Sequence, residues 1–143
     1  MNRIYNISFY FNETAITIGN RQELKRKINY IFFKEKKPYS VLSFIFCTDR
    51  FLLSINRKFL GHDTYTDIIT FPLNNPEDPI SGEIYISVDR IRENARHHGC
   101  TLKTELHRVL FHGALHLCGY KDKTRADKIT MTSKENFYLD LNY

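Results

Sequence analysis

The sequence predicts an α+β fold: an α/β sandwich in a single domain, 1–143, with a small mixed sheet of about four strands packed by helices. Three observations lead there. The chain has 143 residues, enough for one ordinary domain with one core. Strand-like and helix-like stretches follow one another in the order βαβαββααα. No repeat, low-complexity tract or Pro/Gly-rich linker divides the chain, and the strands number too few for a doubly wound sheet.

Each element follows from its residues. RIYNISFY (3–10) is rich in β-branched and aromatic residues and reads as a strand. Asn20 with Glu23 resembles a capping box, and Leu24, Ile28, Ile31 and Phe32 follow at helical spacing. A helix is expected from about 21 to 34, ending before Pro38. YSVLSFIFC (39–47) is apolar on both faces, as a central strand is. Asp49 is expected to cap a short helix over roughly 50–58. DIITFP (67–72) and GEIYIS (82–87) are strands that can pair across the NNPEDP loop. Asp89 is expected to cap a helix running to about 98. Residues 102–118 form a helix stopped by Gly119, and a last helix runs from about 125 to 139.

Composition narrows the function classes. With 42% hydrophobic and 26% charged residues the chain is globular rather than disordered. No apolar run approaches the roughly 20 residues of a membrane helix. The start, MNRIYNISFYFNET, has no small-residue cleavage site, so no secretory leader is expected. Cys47, Cys100 and Cys118 are odd in number and widely spaced, which argues against a disulfide framework and for a cytoplasmic location. A net charge of +5 suits an anionic partner such as nucleic acid. Arg21, Lys25, Arg26, Lys27, Lys34, Lys36 and Lys37 form one basic cluster. Lys121, Lys123, Arg125 and Lys128 form another, beside the most informative motif in the chain.

That motif is HGALHLCGYKDKT, residues 112–124. His112 and His116 stand four apart, about 40° apart on a helical wheel. Leu102, Leu106, Leu110, Gly113 and Leu117 share the core side, so the histidines fall where core meets cleft. Gly113 in mid-helix costs about 1 kcal/mol relative to Ala, which suggests that something needs its missing side chain. Gly119 lets the chain turn back, and Asp122 then stands where a returning loop can offer an oxygen. Zinc accepts His nitrogen and carboxylate oxygen, and three protein ligands with an open fourth position mark a catalytic site. These features make His112, His116 and Asp122 a candidate ligand set for one zinc ion, against the alternative of two structural histidines hydrogen-bonded at a core edge. His97 and His98 are adjacent, diverge by about 100° on a helix and are expected at the surface. Cys118 is expected to pack rather than ligate.

HGALHLCGY resembles the signature of the YbeY family, bacterial metal-dependent endoribonucleases that mature ribosomal RNA. His112, Gly113, Leu115, His116, Leu117, Gly119 and Tyr120 match it. Asn56, Gly61, Asp63 and TDIITFP (66–72) resemble a second family segment, GEIYIS a third, and Met131 and Glu135 fall where the family's last helix carries Met and Glu. Two positions depart from the pattern. The family's third histidine falls at 122, where this chain has Asp122. Its usual arginine, thought to face the active site, falls at 60, where this chain has Leu60. Arg57, one turn earlier, is the candidate for that catalytic role. A carboxylate ligand would make the metal a weaker Lewis acid than a third histidine.

The resemblance implies a zinc-dependent, single-strand-specific endoribonuclease acting in rRNA maturation, with small-subunit 3′ end processing, and in ribosome quality control. Its partners would be single-stranded RNA, rRNA and ribosomal particles, with no membrane. The alternative is a ribosome-associated assembly factor whose metal mainly holds the fold. A metallopeptidase ranks third, because Gly113 stands where HExxH carries its general base.

Overall fold

The structure is a computed structural model describing residues 4–142. Its elements are β1 (Ile7–Phe11), α1 (Arg21–Lys34), β2 (Tyr39–Cys47), α2 (Asp49–Leu60), β3 (Ile68–Pro72), β4 (Ile80–Ser87), α3 (Val88–His98), α4 (Leu102–Leu117) and α5 (Arg125–Asp140). The order matches the expected one. Among the described residues the sheet has four strands, in the order β1-β2-β4-β3. β1 and β4 pair parallel with β2, and β3 pairs antiparallel with β4 across the 74–79 loop. Among the described residues the first strand begins at Ile7, later than the expected span 3–10; residue 3 of that span lies outside the described residues.

Alternation along the strands sorts the two faces. Ile7 and Phe9 of β1, Leu42, Phe44 and Phe46 of β2, and Ile84 and Ile86 of β4 point into the main core, with α1 and α4. The opposite face carries a smaller cluster of Cys47, Leu52, Ile55 and Ile69, covered by α2. β2 is central, as its sequence predicts, but Val41 on its second face stays 46% exposed, because α2 covers only part of that side.

Two helix starts differ from expectation. The N-cap of α2 is Thr48, whose hydroxyl accepts from the Phe51 N–H, and that of α3 is Ser87, which accepts from Arg90 N–H. Asp49 and Asp89 lie inside the first turns instead. Asp89 does cap a helix, though not its own: its Oδ2 accepts from the Asp49 N–H at 2.8 Å. Asp49 Oδ1 in turn accepts from Arg90 Nε at 3.1 Å. The starts of α2 and α3 are thus cross-linked by each other's acids, as orphan N–H groups and helix dipoles favour. Asn20 caps α1 through Glu23 N–H, while a reciprocal capping box occurs at Thr124 and Asp127 of α5.

Candidate metal centre

α4 is built into the core. Leu106, Leu110, Phe111, Ala114 and Leu115 are at most 1% exposed. It packs tightly on the sheet at Gly113, where a Cβ would lie 3.0 Å from Ile68 Cδ1 and 3.0 Å from Ile84 Cγ2. Gly82 on β4 makes the matching allowance, since a Cβ there would lie 2.9 Å from Leu117 Cδ2. Glycine at 113 therefore brings helix and sheet together, with His112 and His116 at the rim, four-fifths buried at their side chains.

After Leu117 the helix ends at Cys118, and Gly119 takes φ +107°, a backbone region that L side chains rarely adopt. The chain returns across the histidines. Asp122 Oδ2 stands 3.3 Å from His112 Nε2 and 3.4 Å from His116 Nε2. One ligand atom from each of the three residues lies within 4.8 Å of the others, and among the described residues this is the sole such group of three.

The far side of each ring is occupied. His112 Nδ1 meets Glu135 Oε2 at 2.6 Å, and His116 Nδ1 meets the Tyr120 carbonyl at 2.9 Å. A carbonyl only accepts, so a neutral His116 carries its proton on Nδ1, with Nε2 facing Asp122. Hydrogen-bonded Nδ1 atoms and converging Nε2 atoms fit a divalent metal, because an outer acceptor fixes tautomer and ring orientation. Burial pushes the His112 pKa down, but the hydrogen bond and charge of Glu135, with Asp67 and Asp122, outweigh it and hold the pKa above its ordinary value. Glu135 is itself buried and pairs through Oε1 with Arg108 Nη1 at 3.0 Å. Arg108 also donates to Asn136 Oδ1 at 2.8 Å.

The group opens on a cleft of about 320 Å³ whose lining includes Asp67, Glu105, Arg108, Lys128 and Thr132. His98 lies along the same cleft, its Nδ1 3.6 Å from Glu105 Oε2, so an exposed residue read as plain surface borders the site. A larger hollow, about 550 Å³, lies beside α1 and the starts of β1 and β2, and no His, Cys, Asp or Glu lines it. Cys118 is packed, and burial pushes its thiol up to about 12.

The model of the family described as Endoribonuclease YbeY matches residues 8–142. The chain belongs to the YbeY family. It is 47% identical over 135 residues to the Endoribonuclease YbeY of Cytophaga hutchinsonii, covering 94% of each chain. The Flavobacterium psychrophilum protein of that name is 46% identical over 114 residues, 80% of this chain and 81% of that one. The fold is similar to the solution structure of TM1509 from Thermotoga maritima, with a TM-score of 0.64 and 29% identity over 94% of this chain and 87% of that one.

Within this YbeY-family chain, His112, His116 and Asp122 come together as the sequence predicts. Arg57 does not join them: it sits at the end of α2, 58% exposed at its side chain, ion-paired with Asp63, and is absent from the cleft lining. Leu60 is also exposed there. The cations that line the cleft are Arg108 and Lys128. Arg108 was legible only as the residue one turn before His112. The Tyr120 carbonyl had no sequence signal beyond the turn promised by Gly119.

Proposed function

We propose that this YbeY-family chain is a zinc-dependent, single-strand-specific endoribonuclease acting in rRNA maturation at the small-subunit 3′ end and in ribosome quality control, in the cytoplasm. One observation carries the reading: two Nε2 atoms and one carboxylate oxygen converge at a cleft while both Nδ1 atoms are held from behind. The endoribonuclease name of its relatives supports the reaction class. Zinc bound there would act as a Lewis acid on a phosphate oxygen and lower the pKa of a water.

The chain's own residues do the rest. His112, His116 and Asp122 would hold the ion. Glu135 and the Tyr120 carbonyl keep the rings aimed. Lys128 and Arg108 at the cleft, with Lys121, Lys123 and Arg125 on the returning loop, offer positive charge to an RNA backbone. Arg57 acts in this scheme only by leaving Asp63 for the substrate. No carboxylate follows His112, so a peptidase lacks its base.

A second reading is a ribosome-associated assembly factor with a structural metal. It is favoured by the basic face of α1, where Arg21, Arg26 and Lys34 are exposed and none of them lines the cleft. Purified protein should cleave single-stranded RNA, and His116→Ala or a chelator should abolish cleavage. A folded His116→Ala protein that binds ribosomal particles normally, in a setting where wild type cleaves nothing, would favour the assembly factor.

A further inference from the structure

The two histidines are held by acceptors of different kinds. His112 rests on the Glu135 carboxylate, His116 on a main-chain carbonyl. A carbonyl is only as well placed as the residue that carries it. Tyr120 lies just past the end of α4, and its side chain reaches away from the cleft. Its hydroxyl donates to Glu35 Oε1 at 2.6 Å. The same carboxylate accepts from Lys134 Nζ at 3.3 Å and from the Tyr138 hydroxyl. Lys134 Nζ also stands 5.3 Å over the Tyr120 ring. Glu35 is anchored in turn, because it ends α1 in a tight turn: its N–H donates to Ile31 O and Lys37 N–H donates to Phe32 O, both at 2.9 Å. Its side chain is only 10% exposed.

We infer that Glu35, acting through Tyr120, is a positioning residue for His116: it sets where the Tyr120 carbonyl stands, and so where Nε2 points. The inference rests on the metal reading above. The competing account is local. Tyr120 N–H donates to Leu115 O at 3.1 Å and Gly119 N–H to His116 O at 3.0 Å, and in that account these bonds alone fix the carbonyl. They fix the amide nitrogen of Tyr120, however, and the side-chain tether adds a fixed Cα–Cβ direction; the two together place the carbonyl carbon.

The test uses the full chain, with zinc affinity read by chelator competition and the His116 ring read by nitrogen NMR in metal-free protein. Tyr120→Phe removes the tether and keeps the carbonyl. It should weaken zinc binding about tenfold, the lower range for an outer-shell partner, and convert the single Nδ1–H form of His116 to a mixture of neutral forms. Glu35→Ala should do the same. Tyr138→Phe removes another donor to Glu35 without touching residue 120, and should lower Tm with zinc affinity unchanged. Folded Tyr120→Phe with wild-type zinc affinity and a single His116 tautomer overturns the inference, and decides alone should Glu35→Ala not fold. Undiminished zinc in His116→Ala overturns the metal reading instead, a distinct outcome that the metal-free NMR comparison does not share.

Discussion

Asp122 is the residue on which the proposed chemistry turns. It supplies a charged oxygen where the family pattern has an imidazole, and it stands within 3.4 Å of both histidine Nε2 atoms. Asp122→Ala should cut zinc affinity by at least about a hundredfold, beyond the usual outer-shell range; undiminished zinc content would remove it from the ligand set. Glu135→Gln addresses the same site from behind. It keeps the shape but removes the charge that Arg108 and His112 share, so zinc affinity should fall by roughly 10–100-fold with little loss of fold. Gly113→Ala gains about 1 kcal/mol of helix propensity but drives a methyl against Ile68 and Ile84 at 3.0 Å, and overpacking costs roughly 1–3 kcal/mol. A lowered Tm is expected, and a raised one would mean that the sheet gives way easily. The histidine pair and Asp122 were legible because helical spacing and a turn after Gly119 are local. Their outer partners were not legible as partners, although Glu135 matched the family pattern. Glu135 reaches His112 only through the packing of two helices, and a backbone carbonyl has no letter in a sequence.

At the scale of elements, α5 is the strut of the site. Lys134 and Glu135, neighbours in sequence, serve opposite arms: one reaches Glu35 beside Tyr120, the other His112. The helix is launched by Thr124, two residues after Asp122, with a capping box closed by Asp127. Thr124→Ala should cost about 1 kcal/mol, seen as a lower denaturation midpoint, and should loosen zinc as well, since it frees the loop that bears Asp122. Stability lost with zinc affinity intact would show that the loop is fixed by other means. The helices and strands themselves were readable from periodicity, with α1 placed residue for residue. The caps of α2 and α3 were not, because a hydroxyl residue stands within two positions of an acid at both starts, Thr48 before Asp49 and Ser87 before Asp89. The structure gives the N-cap to the hydroxyl and turns each acid onto the other helix.

For the whole molecule, two measurements read the balance of forces. His107 lies between α4 and α1. Burial, then the charges of Lys27 and Lys103, push its pKa from 6.5 down to about 4. The unfolded chain therefore takes up a proton between these values that the folded protein refuses. Stability from keeping the ring neutral is complete above pH 6.5 and is lost as pH falls toward 4. His107→Leu should flatten the fall in Tm across that window; an unchanged slope would place the acid sensitivity elsewhere. Zinc in excess should raise Tm by roughly 5–10 °C at a hundred times its dissociation constant, and the His116→Ala protein should not respond. The fold class was legible because strand and helix patterns are local, and so was the centrality of β2. The strand order was not, since parallel pairing joins segments with no shared turn.

One consequence concerns the time course of folding. His112, His116, Asp122 and Glu135 all lie on one helical hairpin, α4 to α5, joined by a short link. The sheet needs parallel pairs between distant strands, β1 with β2 and β2 with β4, and such contacts form slowly. The hairpin joins two helices adjacent in sequence, so a refolding chain can present these four residues before the sheet closes. The Glu35 brace is different, arriving only when α1 docks. Metal added at the start of refolding should thus meet a loosely aimed histidine first and a fixed one later.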